Sequence, residues 1–234
     1  MMALLISTAL TVSAQEPTED KRADNIEVDI FADLLSQYVW RGMPLGSACL
    51  QPSLGLSWKG LSLSATGNRG LTTTDDPEEI DLTAAFTTGG LTVGIIDYWN
   101  NSPEPRYLIY DAHSTSHVFE AFASYDFGPL AAAWYTNFTG NDGVNKNGKR
   151  AYSSYAELNA PFQLAQCEWT ATVGVVPYAT SFYETNGFSV TNLSVAATKS
   201  ISITDHFALP IFAQLTANPS TESMYFVFGL RLQP

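Results

Sequence analysis

Charge is scarce in this 234-residue chain: Asp, Glu, Lys and Arg make up 15% of it, against roughly 25% in ordinary soluble proteins. Between its apolar residues stand Ser, Thr, Ala and Gly, where a water-facing strand would carry more Lys and Glu. Basic residues are scarcest, 11 against 23 acidic, giving a net charge of -12 and a pI of about 4.4. That balance excludes nucleic acid as a partner, because neutralising phosphates takes clustered Lys and Arg. Beyond the N-terminus no apolar run approaches the ~18 to 20 residues of a helical span, so a helical membrane protein is excluded too. No long segment has helical period, which leaves one large β domain. Only two cysteines occur, with no C-x-x-C pair and no Gly-rich phosphate loop, so neither a cofactor nor a metal is expected.

What the chain does have is alternation. Leu54, Leu56 and Trp58 point one way, while Gln51, Ser53, Gly55 and Ser57 point the other. After Lys59-Gly60 the pattern resumes, with Leu61, Leu63 and Ala65 set against Ser62, Ser64 and Thr66. Strands with one apolar face and one small polar face spell a closed antiparallel transmembrane β-barrel. Such runs fall near 26–40, 50–58, 61–67, 79–88, 91–100, 116–127, 129–138, 150–162, 165–177, 188–200, 205–217 and 222–232. About twelve is an even count, as a bacterial barrel requires.

The connections alternate as well. Short ones (Lys59-Gly60, Gly89-Gly90, Gly128-Pro129, Pro161 to Leu164, Ser202 to Asp205) separate longer ones (Gly42 to Cys49, Gly67 to Glu78, Asn101 to Thr115, Thr139 to Lys149, Tyr178 to Gly187, Asn218 to Thr221). Short periplasmic turns and longer extracellular loops have this arrangement. Residues 1–14 read as a signal peptide, with Val12-Ser13-Ala14 before the cleavage point. Residues 15–25 are then a periplasmic N-terminal segment and 26–234 the barrel, which places the protein in the bacterial outer membrane with lipid as its first partner.

Aromatic residues mark two heights, as interfacial belts do. Trp58, Phe86, Tyr125, Phe127, Phe162, Trp169 and Phe207 lie near the short turns; Tyr38, Trp40, Tyr98, Trp99, Trp134, Phe138 and Tyr152 lie near the long loops. Charge follows parity, since Arg or Lys facing lipid at mid-membrane costs about 2 to 4 kcal/mol. Lys199 is the one charged residue of lipid-facing parity. The opposite parity holds Asp29, Asp33, Gln37, Arg41, Asp81, Glu120, Glu157, Glu168, His206 and Arg231, a mostly acidic lumen. Phe31, Leu35, Phe122, Tyr135 and Phe212 share that parity and have the bulk to fill it. The final strand alternates Met224, Phe226, Phe228, Leu230 and Leu232 outward and closes against the first. Cys49 and Cys167 fall at opposite ends of the wall, beyond the roughly 7 Å Cα limit for a bridge, so both thiols are expected free.

The stretch Ser36-Gln37-Tyr38-Val39-Trp40-Arg41-Gly42 resembles the S-x-Y-V-[FW]-R-G motif that opens a family of mostly uncharacterised bacterial outer-membrane barrels. Gln51-Pro52-Ser53-Leu54-Gly55 and Glu79-Ile80-Asp81-Leu82 are similar to that family's next strands. The resemblance implies a fold and a location; it carries no catalytic residues. For Arg41 two readings stand: a fixed charge at a pore mouth, or an ion pair bracing the first strand. Gly42 permits the turn into the first loop.

Catalytic vocabulary gathers once, in Asp111, His113, Ser114, Ser116 and His117, which invites a Ser-His-acid reading. No G-x-S-x-G elbow accompanies it, and two extended residues four apart are separated by about 13 Å, too far for His113 and His117 to share a metal. Asp75, Asp76, Glu78 and Glu79 form an acidic loop without the spacing of a defined Ca²⁺ loop. The sequence therefore points first to a small porin-like channel for cations or polar solutes. The alternatives are a non-conducting barrel accompanying another outer-membrane protein, and a lipid hydrolase using His113 or His117.

Overall fold

In the computed structural model, residues 25–72, 76–111, 114–204 and 207–234 are described. The signal peptide, nearly all of the segment 15–25, and Asp75, His113 and His206 lie outside them. The described residues form fourteen strands and no helix: β1 (Glu27–Leu35), β2 (Tyr38–Trp40), β3 (Met43–Gly46), β4 (Cys49–Trp58), β5 (Leu61–Gly70), β6 (Glu79–Thr88) and β7 (Leu91–Asn100) come first. They are followed by β8 (His117–Asp126), β9 (Ala131–Gly140), β10 (Ser154–Leu164), β11 (Cys167–Val176), β12 (Ser189–Thr204), β13 (Phe207–Asn218) and β14 (Ser223–Leu232). Twelve of them close a barrel in which neighbours along the chain are neighbours in the wall, and β1 completes the ring between β14 and β4. Every ladder is antiparallel. The remaining two strands, β2 and β3, pair only with each other.

The alternation in the sequence becomes the two faces of this wall. Leu54, Leu56, Leu63, Leu82, Ile95, Leu158, Val173, Leu193, Leu215, Phe226 and Phe228 all stand exposed on the outside. Asp33, Gln51, Asn68, Asp81, Glu120, Asn137, Gln214, Thr216 and Arg231 are buried toward the inside. The distribution is the reverse of a water-soluble domain, whose exposed apolar patches rarely exceed a few hundred Å².

One end of the barrel carries tight turns and the other carries loops. Lys59-Gly60 (φ 49° and 88°) and Ala165-Gln166 (φ 53° and 60°) hold positive φ at both central residues, the two-residue hairpin that matches strand twist. The expected turn over Pro161 to Leu164 is instead strand: β10 runs to Leu164 and pairs Pro161 with Thr170. Its ladder with β9 has already ended at Asn159, so the N–H that proline lacks has no acceptor to lose.

The larger correction concerns the first strand, expected over 26–40. The wall strand stops at Leu35, because Ser36 donates its N–H to Phe228 O (2.8 Å) and takes the Phe228 N–H on its side-chain hydroxyl (2.9 Å). A hydroxyl has replaced the next backbone carbonyl, and the ladder cannot continue. The chain turns away from the wall, and residues 38–46 enter the lumen.

Cys49 is buried at the loop end and Cys167 half-buried at the turn end, and both are free. Lys199 is exposed and of exterior parity, paired across the wall with Ile211, but it is not the one charged residue there: Asp97 shares the exterior face of β7 with Ile95 and Trp99 and meets His117.

Candidate functional site: the lumen hairpin

Strands β2 and β3 are joined by Arg41 and Gly42, with φ of 49° and 83°, another two-residue turn of the hairpin type. The turn is the tip of a plug. A Cβ on Gly42 would stand 1.8 Å from the backbone oxygen of Thr191, so glycine is required by both the φ and the closeness of β12. Asn218, at the end of β13, donates its side-chain N–H to Gly42 O at 3.0 Å. At the hairpin's base Asp76 accepts from the Ser47 N–H (3.2 Å) and from the Ser47 hydroxyl.

Arg41 is the centre of the plug. Its guanidinium donates to both oxygens of Glu120 on β8, at 2.7 and 2.8 Å, and to the hydroxyl of Tyr183 in the loop before β12. Tyr98 on β7 donates to the same Glu120 at 2.9 Å. The cation lies 4.5 Å from the Trp40 ring centroid, 4.2 Å from Tyr135 and 4.6 Å from Tyr155. Trp40 stacks on Tyr183 at 5.8 Å. Arg41 is 8% exposed and Glu120 0%, so the pair sits in a low dielectric, where a desolvated cation–π contact contributes up to about 2 kcal/mol. Burial pushes the Tyr183 phenol above its usual range against the opposing pull of Arg41, which keeps it neutral. On the other flank Tyr38 donates to Glu79 on β6 at 2.9 Å. The hairpin therefore engages the wall from β6 round to β13 and crosses the lumen at the loop end.

Three residues of the expected outer aromatic belt are thus inside the barrel: Tyr38, Trp40 and Tyr98, at 1%, 6% and 5% exposure. Tyr38 and Trp40 left the wall with the hairpin. Tyr98 is a matter of parity, since adjacent strand residues face opposite ways and Trp99 holds the exterior position. Even Trp99 is covered, packed edge-on against Tyr107 at 5.4 Å. Trp134, Phe138 and Tyr152 remain exposed at the loop end. At the turn end Trp58, Phe86, Tyr125, Phe127, Phe162 and Phe207 are exposed, and Trp169 stacks on Phe162 at 6.1 Å.

The acidic lumen divides in two. In the turn half Asp29 and Glu168 are exposed; Glu157, two residues beyond Tyr155 on the same face of β10, is half-buried and accepts from Asn159 at 3.0 Å. In the loop half Asp33 forms a two-pronged pair with Arg231 (2.8 Å each), and Arg231 lies 3.9 Å over Phe31. Asp81 is buried with one carboxylate oxygen lacking any hydrogen-bond partner. Gln37 is half-buried at the break between β1 and β2. Leu35, Tyr135 and Phe212 are buried and Phe122 packs against them, so apolar bulk does help fill this half.

His117 faces the exterior. Its Nδ1 meets Asp97 at 2.7 Å and its Nε2 meets the carbonyl oxygen of Tyr107 at 2.5 Å, with Tyr110 stacked on the ring at 4.2 Å. The nitrogen that a hydrolase would turn toward a serine is thus engaged by the backbone. Ser116 accepts from the Glu104 N–H instead (2.7 Å), and Ser114 is exposed. What this group does is hold the described loop residues 101–111 against the outside of the wall. Of the acidic loop residues, Asp76 braces the hairpin, Glu78 pairs with Arg69, and Glu79 points into the lumen. Among the described residues no three His, Cys, Asp or Glu side chains converge as a metal centre.

Sequence reasoning did not find Tyr183, Tyr155, Thr191 or Asn218. Each matters only because the hairpin lies against it, and nothing local in the sequence marks that.

No protein-family model matches the chain, and neither does any curated protein. Among solved structures it is similar to a triple mutant of the porin from Rhodopseudomonas blastica, with 11% identity and a TM-score of 0.39. The match covers 86% of this chain and 66% of that porin, so the chain spans slightly less than two thirds of the porin's length.

Proposed function

We propose that the protein is a porin-like barrel of the bacterial outer membrane, passing small cations or polar solutes, with the 38–46 hairpin as its gate. The observation that carries this reading is Arg41 held on Glu120 inside the lumen. A wall meant only to be solid can be filled with side chains; here a separate strand pair, joined to the wall at its two ends, fills it at one level. Membrane insertion is supported by the exposed apolar exterior and its aromatic rims. The turn end then faces the periplasm and the loop end the outside. Cation preference is supported by Asp29 and Glu168 lining the turn half and Glu157 next to Tyr155, because carboxylates in a confined passage attract cations. The opening motif, similar to that of an outer-membrane family, supports the same location.

The test is planar-bilayer conductance of the refolded mature protein beside a variant lacking residues 38–46. Small or infrequent openings in the wild type, and larger cation-selective steps in the deletion, are expected. A folded, heat-modifiable deletion variant that stays silent would defeat the channel reading. It would favour the second one, a non-conducting barrel that accompanies another outer-membrane protein, for which the plugged lumen is the supporting observation.

A further inference from the structure

Four carboxylates are buried in the loop half of the lumen: Asp33, Glu79, Asp81 and Glu120, at 3%, 8%, 3% and 0% exposure. Two of them carry their own cation. Arg231 takes Asp33 and Arg41 takes Glu120, each through two hydrogen bonds. The other two, Glu79 and Asp81, stand two residues apart on β6, on one face of the strand and close enough to interact electrostatically. Among the described residues neither has a basic partner. Glu79 accepts from Tyr38, a neutral donor. One oxygen of Asp81 is fully buried with no hydrogen-bond partner at all. A carboxylate in such a place either takes up a proton or stays ionised against a compensating cation.

We infer that Glu79 and Asp81 bind a hard divalent cation, of which Ca²⁺ is the probe of choice, beneath the lumen hairpin. Two carboxylates balance its charge. The cross-strand neighbours on the same face are Asn68 and Asn100 beside Glu79, and Thr66 and Tyr98 beside Asp81. Their oxygens are neutral but engaged, with Gln51, Ser102, Ser53 and Glu120 respectively for Asn68, Asn100, Thr66 and Tyr98, so water supplies most of the six to eight that Ca²⁺ takes. Two carboxylates favour a hard cation over zinc or copper, although the buried Cys49 thiol lies within electrostatic reach of Glu79. The site also touches the gate, because Tyr38 of the hairpin donates to Glu79. Cation binding fixes the orientation of that carboxylate and so latches the hairpin, a consequence that rests on the gate reading above.

The experiment is Ca²⁺ titration by calorimetry on the refolded, chelator-treated full mature protein in detergent, at a salt concentration that screens surface charge. Terbium luminescence sensitised by the neighbouring Tyr38 and Tyr98 serves as a second readout. One saturable site is expected, lost in Asp81→Asn and in Glu79→Gln and kept in Asp29→Asn, whose carboxylate lies in the open turn half. Heat-modifiable mobility confirms that each variant is folded. Absence of saturable binding in the folded wild type, or equal binding in Asp81→Asn, would overturn the site. Conductance measured with and without Ca²⁺ separates the two claims: binding that needs Asp81 but leaves conductance unmoved upholds the cation site and removes the latch.

Discussion

The guanidinium of Arg41 and the carboxylate of Glu120, 79 residues apart in the chain, meet inside the barrel through two hydrogen bonds of 2.7 and 2.8 Å. Arg41 belongs to a strand pair that is not part of the wall, and Glu120 belongs to the wall. Their bond therefore measures how firmly the hairpin is seated. Truncating one member of a buried pair strands the other and costs about 3 to 5 kcal/mol. Glu120→Ala should release the hairpin while the barrel persists, and quenching of Trp40 fluorescence should rise toward that of an exposed indole. Replacing both, Arg41→Met with Glu120→Leu, should restore much of the protection, because no charge is then left unpaired.

Gly42 offers a test that leaves the electrostatics alone. A Cβ there meets Thr191 O at 1.8 Å, and the φ is 83°, a region that L side chains enter at a cost of about 1 to 2 kcal/mol. Gly42→Ala should unseat the tip with the ion-pair residues intact. Protease nicking within 36–48 should increase in the variant, and wild-type resistance there would show that β12 yields instead.

The seam of the barrel depends on one ion pair. β1 meets β14 over only Ala32–Leu35 and Gly229–Leu232, and Asp33 faces Arg231 in the middle of that short ladder. Arg231→Ala should weaken the seam by about 3 to 5 kcal/mol. Hydrogen exchange should accelerate in β1 and β14 before it does in β7 and β8, and uniform exchange would refute the assignment of a weak seam.

On the exterior, His117 bridges Asp97 and the Tyr107 carbonyl. A hydrogen bond to a carboxylate contributes about 1.5 to 3 kcal/mol, enough with the Tyr107 contact to hold a loop. His117→Ala should expose residues 101–111 to protease while the barrel keeps its heat-modifiable mobility. Loss of a lipid-hydrolase activity in this variant would instead restore the enzymatic reading that the engaged Nε2 argues against.

The barrel wall was legible because each of its strands carries its own signal. Leu54, Leu56 and Trp58 alternate with Ser53, Gly55 and Ser57 wherever the strand is placed, and the turn at Lys59-Gly60 needs no distant partner. The same local signal misled at Tyr38-Val39-Trp40, where alternation reads identically for a wall strand and for one arm of a hairpin inside. Pro161 misled in the other direction. A proline suggests a turn until the missing β9 partner shows that nothing was lost by placing it in a strand.

Of the site, the lumen parity of Asp33, Asp81, Glu120 and Arg231 could be read from period two alone, and the strand order put the two cysteines too far apart to bridge; Arg41 reaches the lumen because its hairpin leaves the wall. The pairings could not. Asp33 with Arg231 follows only once the ring is closed, and Arg41 with Glu120 and Tyr183 follows only once the hairpin has left the wall. The sequence by itself determined a β-barrel, its twelve-strand count, its apolar exterior and its acidic interior, because strand period and turn chemistry act over two to ten residues. Tertiary structure alone decided that the loop end of the lumen is crossed by residues 38–46 and that Glu79 and Asp81 are left without an arginine, because those outcomes depend on which side chains closure brings together across the barrel.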